Sequence, residues 1–288
     1  MKRLCKLGTA LVAAMLIYVP GGQAQQPAAG EQEWAGKRIV LLHGLGEFHP
    51  GDGSSVRDAV GVNLVTVVVR IDGDRVWIDS TGGDQRGWVE KNNAMLLEDA
   101  PPYLEGLVRD DPTNWDAWLR RAEVEHALNQ REASLADYTK AISLHPGEAF
   151  LFLRRGRHLW TMRDCQRALA DYQRALDLSS RSAVSGYDLA AEVLSLQAGV
   201  YDGCPDTSFR DSKKALAAAQ GAVRRAPERP TLLSILAAAY ASAGNFEKAA
   251  ETQRQALASP QFPPGYREQG TAQLQSYDKS IAEQRKEN

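Results

Sequence analysis

The sequence predicts an α+β chain in two parts, a small β domain followed by a longer, mainly α-helical solenoid. Two observations support this prediction. Between residues 34 and 93, short runs rich in valine, isoleucine and threonine alternate with glycine-containing turns. After residue 94 the pattern becomes helical and repeats at an interval of 34 residues, as expected for stacked pairs of short helices.

The N-terminal segment has the three-part pattern of a secretory signal peptide. Lys2, Arg3 and Lys6 precede an apolar run over residues 7–19, and a glycine-rich break leads to small residues ending at Ala24. We expect cleavage after residue 24, a linker over 25–33, and a secreted or periplasmic protein. An uncleaved membrane anchor is the alternative. No other segment is apolar enough to span a membrane.

The composition is that of an ordinary globular protein, with 43% hydrophobic and 24% charged residues and a formal charge of −2. There is no basic stripe with interleaved aromatic residues, so we expect no nucleic-acid partner.

Two cysteines remain after the leader, Cys165 and Cys204. Because an exported chain meets an oxidising compartment, they are candidates for a disulfide.

The β domain is expected over residues 34–93. Strands are predicted at 38–42, 64–71, 75–79 and 87–90, and the Asp72–Gly73 pair marks a tight hairpin turn. This number of short strands in about sixty residues favours a small barrel or curled sheet.

The helical units are defined by large and small residues at fixed steps. Trp118 is followed by Ala122 four positions later, and twelve further positions lead to Ser134 in a second helix. The same steps from Phe152, 34 residues onward, reach Gly156 and Ala168. A large and a small residue four apart share one face of a helix, which lets a neighbouring helix approach closely.

The same steps locate the remaining units. In the third unit we expect a first helix over 183–196 with Ala190 at the small position, and about 13 inserted residues around "GVYDGCPDTSFRD". The predicted boundaries are 94–114 for a half-repeat helix, 115–148, 149–182, 183–229 and 230–263 for the repeats, and 264–288 for a capping helix and tail.

These units resemble tetratricopeptide (TPR) repeats. The stretches "NWDAWLRRAEVEHALNQREASLADYTKAISLHP", "AFLFLRRGRHLWTMRDCQRALADYQRALDLSS" and "PTLLSILAAAYASAGNFEKAAETQRQALAS" follow that pattern in register. Residues 34–91, with "WAGKRIVL", "DGDRVWI" and "GWV", are similar to the small SH3-like β-barrel that precedes such repeats in a group of bacterial proteins. The resemblance implies a right-handed α-solenoid and an exported, non-catalytic scaffold that binds a protein or peptide partner.

In TPR proteins the first helices of successive units line a concave groove. The resemblance places groove positions at Asp116, Leu119, Glu123 and His126 in the first unit, Phe150, Leu153, Arg157 and Trp160 in the second, and Val184, Tyr187, Ala191 and Leu194 in the third. Arg154 and Arg157 beside Trp160 suit an acidic or aromatic peptide. The alternative is that the arginines of these helices only solvate helix faces; they are Arg120, Arg121, Arg154 and Arg155.

The stretch "RIVLLHGLGEFHPGDG" raises an alternative function. Its His43–Gly46 segment is similar to the oxyanion loop of α/β-hydrolases, which would make the chain an esterase. The G-x-S-x-G nucleophile motif of those enzymes is missing from the sequence. We therefore expect no catalysis, no cofactor and no metal. The third hypothesis is a purely structural assembly subunit, and contact between the β domain and cell-envelope polymer also stays open.

Overall fold

The chain is described here by a computed structural model, over residues 34–42, 49–50, 64–79, 86–179 and 188–287. The expected leader and linker, the His43–Gly46 motif, Val184 and Tyr187 lie outside these residues. The fold class predicted from the sequence is confirmed, because a small antiparallel sheet precedes a solenoid of paired helices.

The N-terminal part is a six-stranded antiparallel sheet with the strand order β2-β5-β4-β3-β1-β6. Its strands are β1 (Arg38–Leu41), β2 (His49–Pro50), β3 (Val65–Asp72), β4 (Arg75–Asp79), β5 (Arg86–Glu90) and β6 (Ala94–Leu96). A 3₁₀ turn over Lys91–Asn93 connects β5 to β6. Strand β6 pairs with β1, so the sheet extends three residues beyond the predicted boundary at 93.

The hairpin of β3 and β4 forms for the reasons seen in the sequence. Gly73 has a φ of 56°, a left-handed conformation that glycine adopts without steric cost. Along β4, Val76 and Ile78 are fully buried while Trp77 between them is only partly buried. This alternation shows that one face of the sheet packs on a core and the other faces outward.

The remainder of the described chain is helical. The helices are α1 (Ala100–Asp110), α2 (Trp115–Ala127), α3 (Arg131–Leu144), α4 (Ala149–Thr161), α5 (Cys165–Ser179), α6 (Leu189–Gly203), α7 (Ser212–Arg225), α8 (Pro230–Ser242), α9 (Phe246–Ala258) and α10 (Arg267–Glu287). Four helix pairs form the units, α2 with α3, α4 with α5, α6 with α7, and α8 with α9. None of the helices within the described residues is long and apolar enough to cross a membrane.

The small residues of the repeat allow close helix packing. A Cβ atom added to Gly156 of α4 would lie 2.7 Å from the Tyr172 ring of α5, so a larger residue does not fit there. In the preceding unit, the hydroxyl of Ser134 donates a hydrogen bond of 2.8 Å to the carbonyl of Ala122. The steps in the sequence therefore mark real contacts between the two helices of a unit.

The third unit differs from the prediction. Its first helix α6 extends to Gly203, so the expected end at 196 is wrong. Ala198 belongs to the same buried cluster as Ala215 and Ala219 of α7, so Ala198 occupies the small position that the sequence assigned to Ala190. The insertion is correspondingly shorter. The connection between the two helices, 204–211, has eight residues where the other units have three, so about five residues are inserted.

The sheet packs directly against the start of the solenoid. Val40, Leu97, Ala100, Leu104 and Val124 form one buried cluster that joins β1 to α1 and α2. The α1 helix begins at Ala100, not at residue 94 as predicted, because the residues before it belong to the sheet and its connection.

Two arginines strengthen the contact between the sheet and α2. The side chain of Arg120 is 2% exposed and donates a hydrogen bond to the carbonyl of Leu41. Arg38 Nη1 donates a bond of 2.9 Å to the carbonyl of Ala127. The latter bond satisfies an acceptor at the C-terminal end of α2, where the helix has no internal donor.

Helix α10 covers the other end of the solenoid. Tyr277 is buried in a cluster with Ala237, Ala249 and Ala250 of the last unit. Gln253 Nε2 donates a hydrogen bond of 3.2 Å to the carbonyl of Gly270. The α10 helix therefore buries the apolar face that the last helix pair would otherwise expose to water.

Candidate functional site

The candidate site is the surface formed by the first helix of each unit, α2, α4, α6 and α8, which we call the inner surface. Helix α4 contacts α6, and α6 contacts α8, whereas the second helices of neighbouring units make no comparable contacts among the described residues. Helices that are closer together lie on the inside of a curved stack. The inner surface is therefore the concave side of the solenoid.

Glu123 of α2 is the centre of a buried polar cluster beneath this surface. Its side chain is 4% exposed, and the Tyr138 hydroxyl donates a hydrogen bond of 2.8 Å to Oε1. Arg154 Nη1 lies 3.6 Å from Oε1, and Arg157 Nη2 lies 3.8 Å from Oε2. Burial alone would raise the pKa of Glu123, but the two guanidinium groups hold it below its usual value. The carboxylate is therefore ionised.

The two arginines of this cluster differ in their exposure. Arg154 is 2% exposed, whereas Arg157 keeps 33% of its side chain exposed. Burial opposes the charged form of Arg157, yet the carboxylate of Glu123 outweighs it and the pKa of Arg157 is raised. Arg157 is therefore a positive charge that solvent, or a partner, can reach.

The hydroxyl of Tyr172 lies buried within the second unit. It has no hydrogen-bond partner among the described residues, and burial raises the pKa of Tyr172 above its usual value. A buried hydroxyl without a partner is uncommon because its desolvation is not compensated.

Two further ion pairs involve α6. Glu192 of α6 pairs with Arg229 at 3.2 Å, just before α8 begins. Asp188, which caps α6, pairs with Arg225 at 2.9 Å. One pair thus lies within the third unit and the other joins it to the fourth.

Two histidines that are distant in the sequence pair in the structure. The Nδ1 atoms of His126 and His158 are 2.9 Å apart, and His158 Nε2 lies 2.8 Å from the carbonyl of Arg131. A carbonyl only accepts, so His158 Nε2 carries the proton, and His126 Nδ1 donates to His158 Nδ1. Burial lowers the pKa of both residues, so both rings are neutral near pH 7. No local spacing in the sequence indicates this pair.

The open part of the inner surface lies between α4 and α6. Gly199 occupies the position in α6 that Arg157 occupies in α4, one residue after the small position of the repeat. A Cβ atom added to Gly199 would meet nothing within 4 Å. Trp160, partly exposed at the end of α4, lies 3.8 Å from the position of a Cβ on Gly203. A partly exposed aromatic ring and, one helical turn before it on α4, a partly exposed arginine are thus both present on the inner surface.

The structure divides the residues expected to line the groove into three sets. The residues in the interior are Leu119, Glu123, Phe150, Leu153, Arg154 and Ala191. The partly exposed residues are Asp116, His126, Arg157, Trp160 and Leu194. Val184 and Tyr187 lie outside the described residues. Of the expected groove residues that the structure describes, only the second set is accessible at the surface.

Asp116 also contributes to the contact between the solenoid and the sheet. Its carboxylate accepts two hydrogen bonds from Arg120, at 2.6 and 3.1 Å. Arg120 is the residue that bonds to Leu41 of the sheet. Asp116 therefore orients the side chain that connects the solenoid to the β domain, a role that needs the three-dimensional contact to be recognised.

Cys165 and Cys204 form a disulfide, with Cα atoms 6.3 Å apart. Cys165 begins α5 and Cys204 follows α6, and both are buried. The bond joins the second unit to the insertion of the third, directly behind the position of Trp160 and Gly203. Among the described residues, no group of three or more histidine, cysteine or acidic side chains could hold a metal ion.

Comparison with known proteins supports the identification of the repeats. A family model described as "Tetratricopeptide repeat" matches residues 97–149 and 208–265. A search of curated proteins finds no match.

Several solved structures are similar to the chain. MamA from Desulfovibrio magneticus RS-1 is 19% identical, with a TM-score of 0.47, over 56% of this chain and 84% of that one. A thermophilic TPR protein from Thermus thermophilus is 16% identical, with a TM-score of 0.49, over 62% and 90%. YrrB, described as "a TPR protein with an unusual peptide-binding site", is 19% identical, with a TM-score of 0.44, over 56% and 76%.

Proposed function

Because this chain contains tetratricopeptide repeats, we propose that it is an exported scaffold that binds a protein or peptide partner on its inner surface and catalyses no reaction. The observation that carries the proposal is the pair of Arg157 and Trp160, which lie one helical turn apart on α4 and are both partly exposed. A cation and an aromatic ring at an open concave surface suit a peptide with an acidic side chain and an apolar one.

The buried cluster under the inner surface supports this role. Glu123 and Tyr138 hold Arg157 from beneath, so the guanidinium is oriented before a partner arrives. Binding then loses less free energy to the ordering of this side chain. The alternative, that arginines of these helices only solvate helix faces, fits Arg120 and Arg154 poorly because their side chains are 3% and 2% exposed.

Export is supported by the pattern of the first 24 residues and by the disulfide. Disulfides persist in extracellular or periplasmic compartments and are rare in the cytosol. Fractionation of cells that express the full chain, with N-terminal sequencing of the mature form, tests this part. An N-terminus at Gln25 in the envelope or medium is expected, and an intact leader in the cytosol would contradict it.

For the β domain we propose an SH3-like barrel. The order β5-β4-β3-β1-β6 within the sheet and the 3₁₀ turn before the last strand support this assignment. In this arrangement the last strand, β6, pairs with the first strand, β1. Contact with cell-envelope polymer through this domain stays a hypothesis.

The groove hypothesis is tested by affinity purification of partners with the full chain from cell-envelope extract. The variants are Arg157→Glu and Trp160→Ala, and the matched control is Arg174→Glu, an exposed arginine on α5. We expect both groove variants to lose the partners that the wild type and the control recover. If the two variants recover the same proteins as the control, the inner surface is not the binding site.

The two remaining hypotheses are tested separately. Incubation of the full chain with short-chain ester substrates tests the esterase hypothesis, and turnover abolished by His43→Ala would contradict a non-catalytic scaffold. A structural assembly subunit would be recovered in a complex of fixed stoichiometry that Arg157→Glu does not change. The scaffold proposal instead predicts a complex that depends on Arg157.

A further inference from the structure

A second surface is present on the outer face of the β domain. In the register of the sheet, Arg70 of β3 is opposite Trp77 of β4, and Trp77 is opposite Trp88 of β5. Residues directly opposite on antiparallel strands point to the same face. The three side chains therefore form a row across three strands, which we call the Trp–Arg row. It lies on the face opposite the buried Val76 and Ile78.

The Trp–Arg row is held together by ring contacts. The rings of Trp77 and Trp88 meet edge to face at 5.3 Å, with an angle of 74° between their planes. Arg70 Cζ lies 4.9 Å from the Trp77 ring centre and 5.7 Å from that of Trp88. Arg75 Cζ lies 5.4 Å from the Trp88 ring. These cation–π distances fix the guanidinium of Arg70 in place.

Apolar side chains lie beside the row on β3. Val67 is 38% exposed and Val69 is 53% exposed. The pairing of β3 with β4 shifts between Val68 and Arg70, and such a bulge re-aims side chains on the bulged strand. Val69 and Arg70 are consequently exposed next to each other, so an apolar contact and a charge are adjacent.

The two arginines of this face differ in their charge partners. Arg75 Nη2 bonds to Asp72 at 3.0 Å. Arg70 pairs with no carboxylate among the residues that the structure describes. A guanidinium over an aromatic ring can still direct its N–H groups to a carboxylate and bind it with two hydrogen bonds. Arg70 is therefore preorganised for an acidic group.

We propose that the Trp–Arg row binds an acidic segment of a protein partner, with a carboxylate on Arg70 and a neighbouring apolar side chain on Val69 and Trp77. Charge complementarity to Arg70 selects the carboxylate. The exposed valines favour a protein over a glycan, because the hydroxyl groups of a sugar would lose water there without gaining hydrogen bonds. Trp and Arg are also the residues most enriched at the energetic centres of protein interfaces.

The test is an NMR titration of the full chain, with the indole N–H signals of Trp77 and Trp88 assigned from Trp→Phe variants. The probes are three 12-residue peptides, one alternating Asp and Leu, one with Asn for Asp, and one with Ser for Leu. We expect the Asp–Leu peptide alone to shift both signals at micromolar to low millimolar concentration, since two bonds and a small apolar contact support only modest affinity.

Variants localise the effect. Arg70→Gln is expected to weaken binding of the Asp–Leu peptide at least fivefold, and Arg70→Lys to restore only part of it, because lysine lacks the bidentate geometry. Arg167→Gln, an exposed arginine on α5, is the matched control and should bind as the wild type does. Unchanged binding by Arg70→Gln, equal binding of the Asn peptide, or no shift at all would overturn the proposal. So would shifts produced by N-acetylglucosamine oligomers and not by the peptides.

Discussion

At the scale of single residues, neighbouring ionisable groups beneath the inner surface have pKa values shifted in opposite directions by their surroundings. Glu123 is buried and ionised because two arginines lie beside it, whereas the pKa of Glu125, two residues later, is raised into the neutral pH range. Two acidic residues of one helix thus differ in charge state because of their neighbours. The stability of the first unit is therefore linked to pH through Glu125 near neutral pH and through Glu123 at acidic pH.

Glu125 gives the first prediction. Burial and the nearby Asp137 raise the pKa of Glu125 to about 7, because Arg121 directs its bidentate bonds to Asp137. The folded state thus binds this proton more tightly than the unfolded state, so the contribution to stability is present below about pH 4.5 and is lost as pH rises through 7.

The variant Glu125→Gln removes this dependence. Between pH 5 and pH 8 the wild type should lose stability on the order of 1–3 kcal/mol more than the variant does, measured by urea unfolding at each pH. Glu132→Gln, on the exposed side of α3, is the control and should follow the wild type. Parallel pH profiles for the wild type and Glu125→Gln would exclude the assignment.

The histidine pair gives a prediction of the opposite sign. The folded-state pKa of His126 and of His158 is lowered, so below about pH 6.5 the unfolded chain binds protons that the folded pair does not. Stability should fall as pH drops below that value. Glu123, Arg157 and Arg131 also face this pair, and Glu123 partly offsets the effect.

The variant His126→Gln keeps a donor toward His158 but removes one of the two titrating rings. It should lose less stability than the wild type between pH 7.5 and pH 5.5 in thermal unfolding. The control is His145→Gln, since His145 packs on Trp115 away from the pair. An equal acid loss in His126→Gln and the wild type would rule out the pair as the source.

At the scale of elements, the small residue of each first helix sets how closely its partner helix packs. Gly156→Ala should destabilise the chain by about 1–3 kcal/mol, because the added methyl group collides with the Tyr172 ring. Gly199→Ala is the matched control. It lies within α6 with open space around it, so it should stabilise the helix by up to about 1 kcal/mol. Denaturant unfolding of both variants gives the comparison, and the same sign for both would contradict this packing.

The disulfide acts at the junction of the second and third units. Its two cysteines are 39 residues apart, and closing a loop of this length lowers the entropy of the unfolded chain by the equivalent of about 4 kcal/mol. A double Cys165→Ala and Cys204→Ala variant should therefore be less stable to urea by about 2–4 kcal/mol. A reducing agent should lower the stability of the wild type and leave the variant unchanged. Equal stability of the two proteins under oxidising conditions would contradict this role.

The sequence predicts three of the four units because their steps are unambiguous. In the third unit, alanines occupy both Ala190 and Ala198, so spacing alone cannot choose between two registers. Contact with α7 decides in favour of Ala198. The candidate site was predictable to a similar extent. The exposure of Arg157 and Trp160 on the inner surface follows from their positions in the repeat. The hydrogen bonds from Arg120 to Asp116 and to Leu41 depend on contact with the sheet, which the sequence does not reveal.

At the scale of the whole molecule, the solenoid is covered at both ends. The sheet packs on α1 and α2 through the Val40 cluster, and α10 covers the last unit through Tyr277. Repeats need such ends, because a terminal helix pair would otherwise expose its apolar face. The inner surface between the two ends and the outer face of the sheet are then left for partners.

The central claim is that a partner binds on the inner surface, and site-specific photocrosslinking tests it most directly. A benzoylphenylalanine replaces Trp160 on the inner surface or, as a control, Tyr266, which is 38% exposed before α10. In cell-envelope extract, irradiation should give a discrete adduct from position 160 that disappears when Arg157→Glu is added, and none from position 266. Equal adducts from both positions, or an adduct at position 160 that survives Arg157→Glu, would contradict the account.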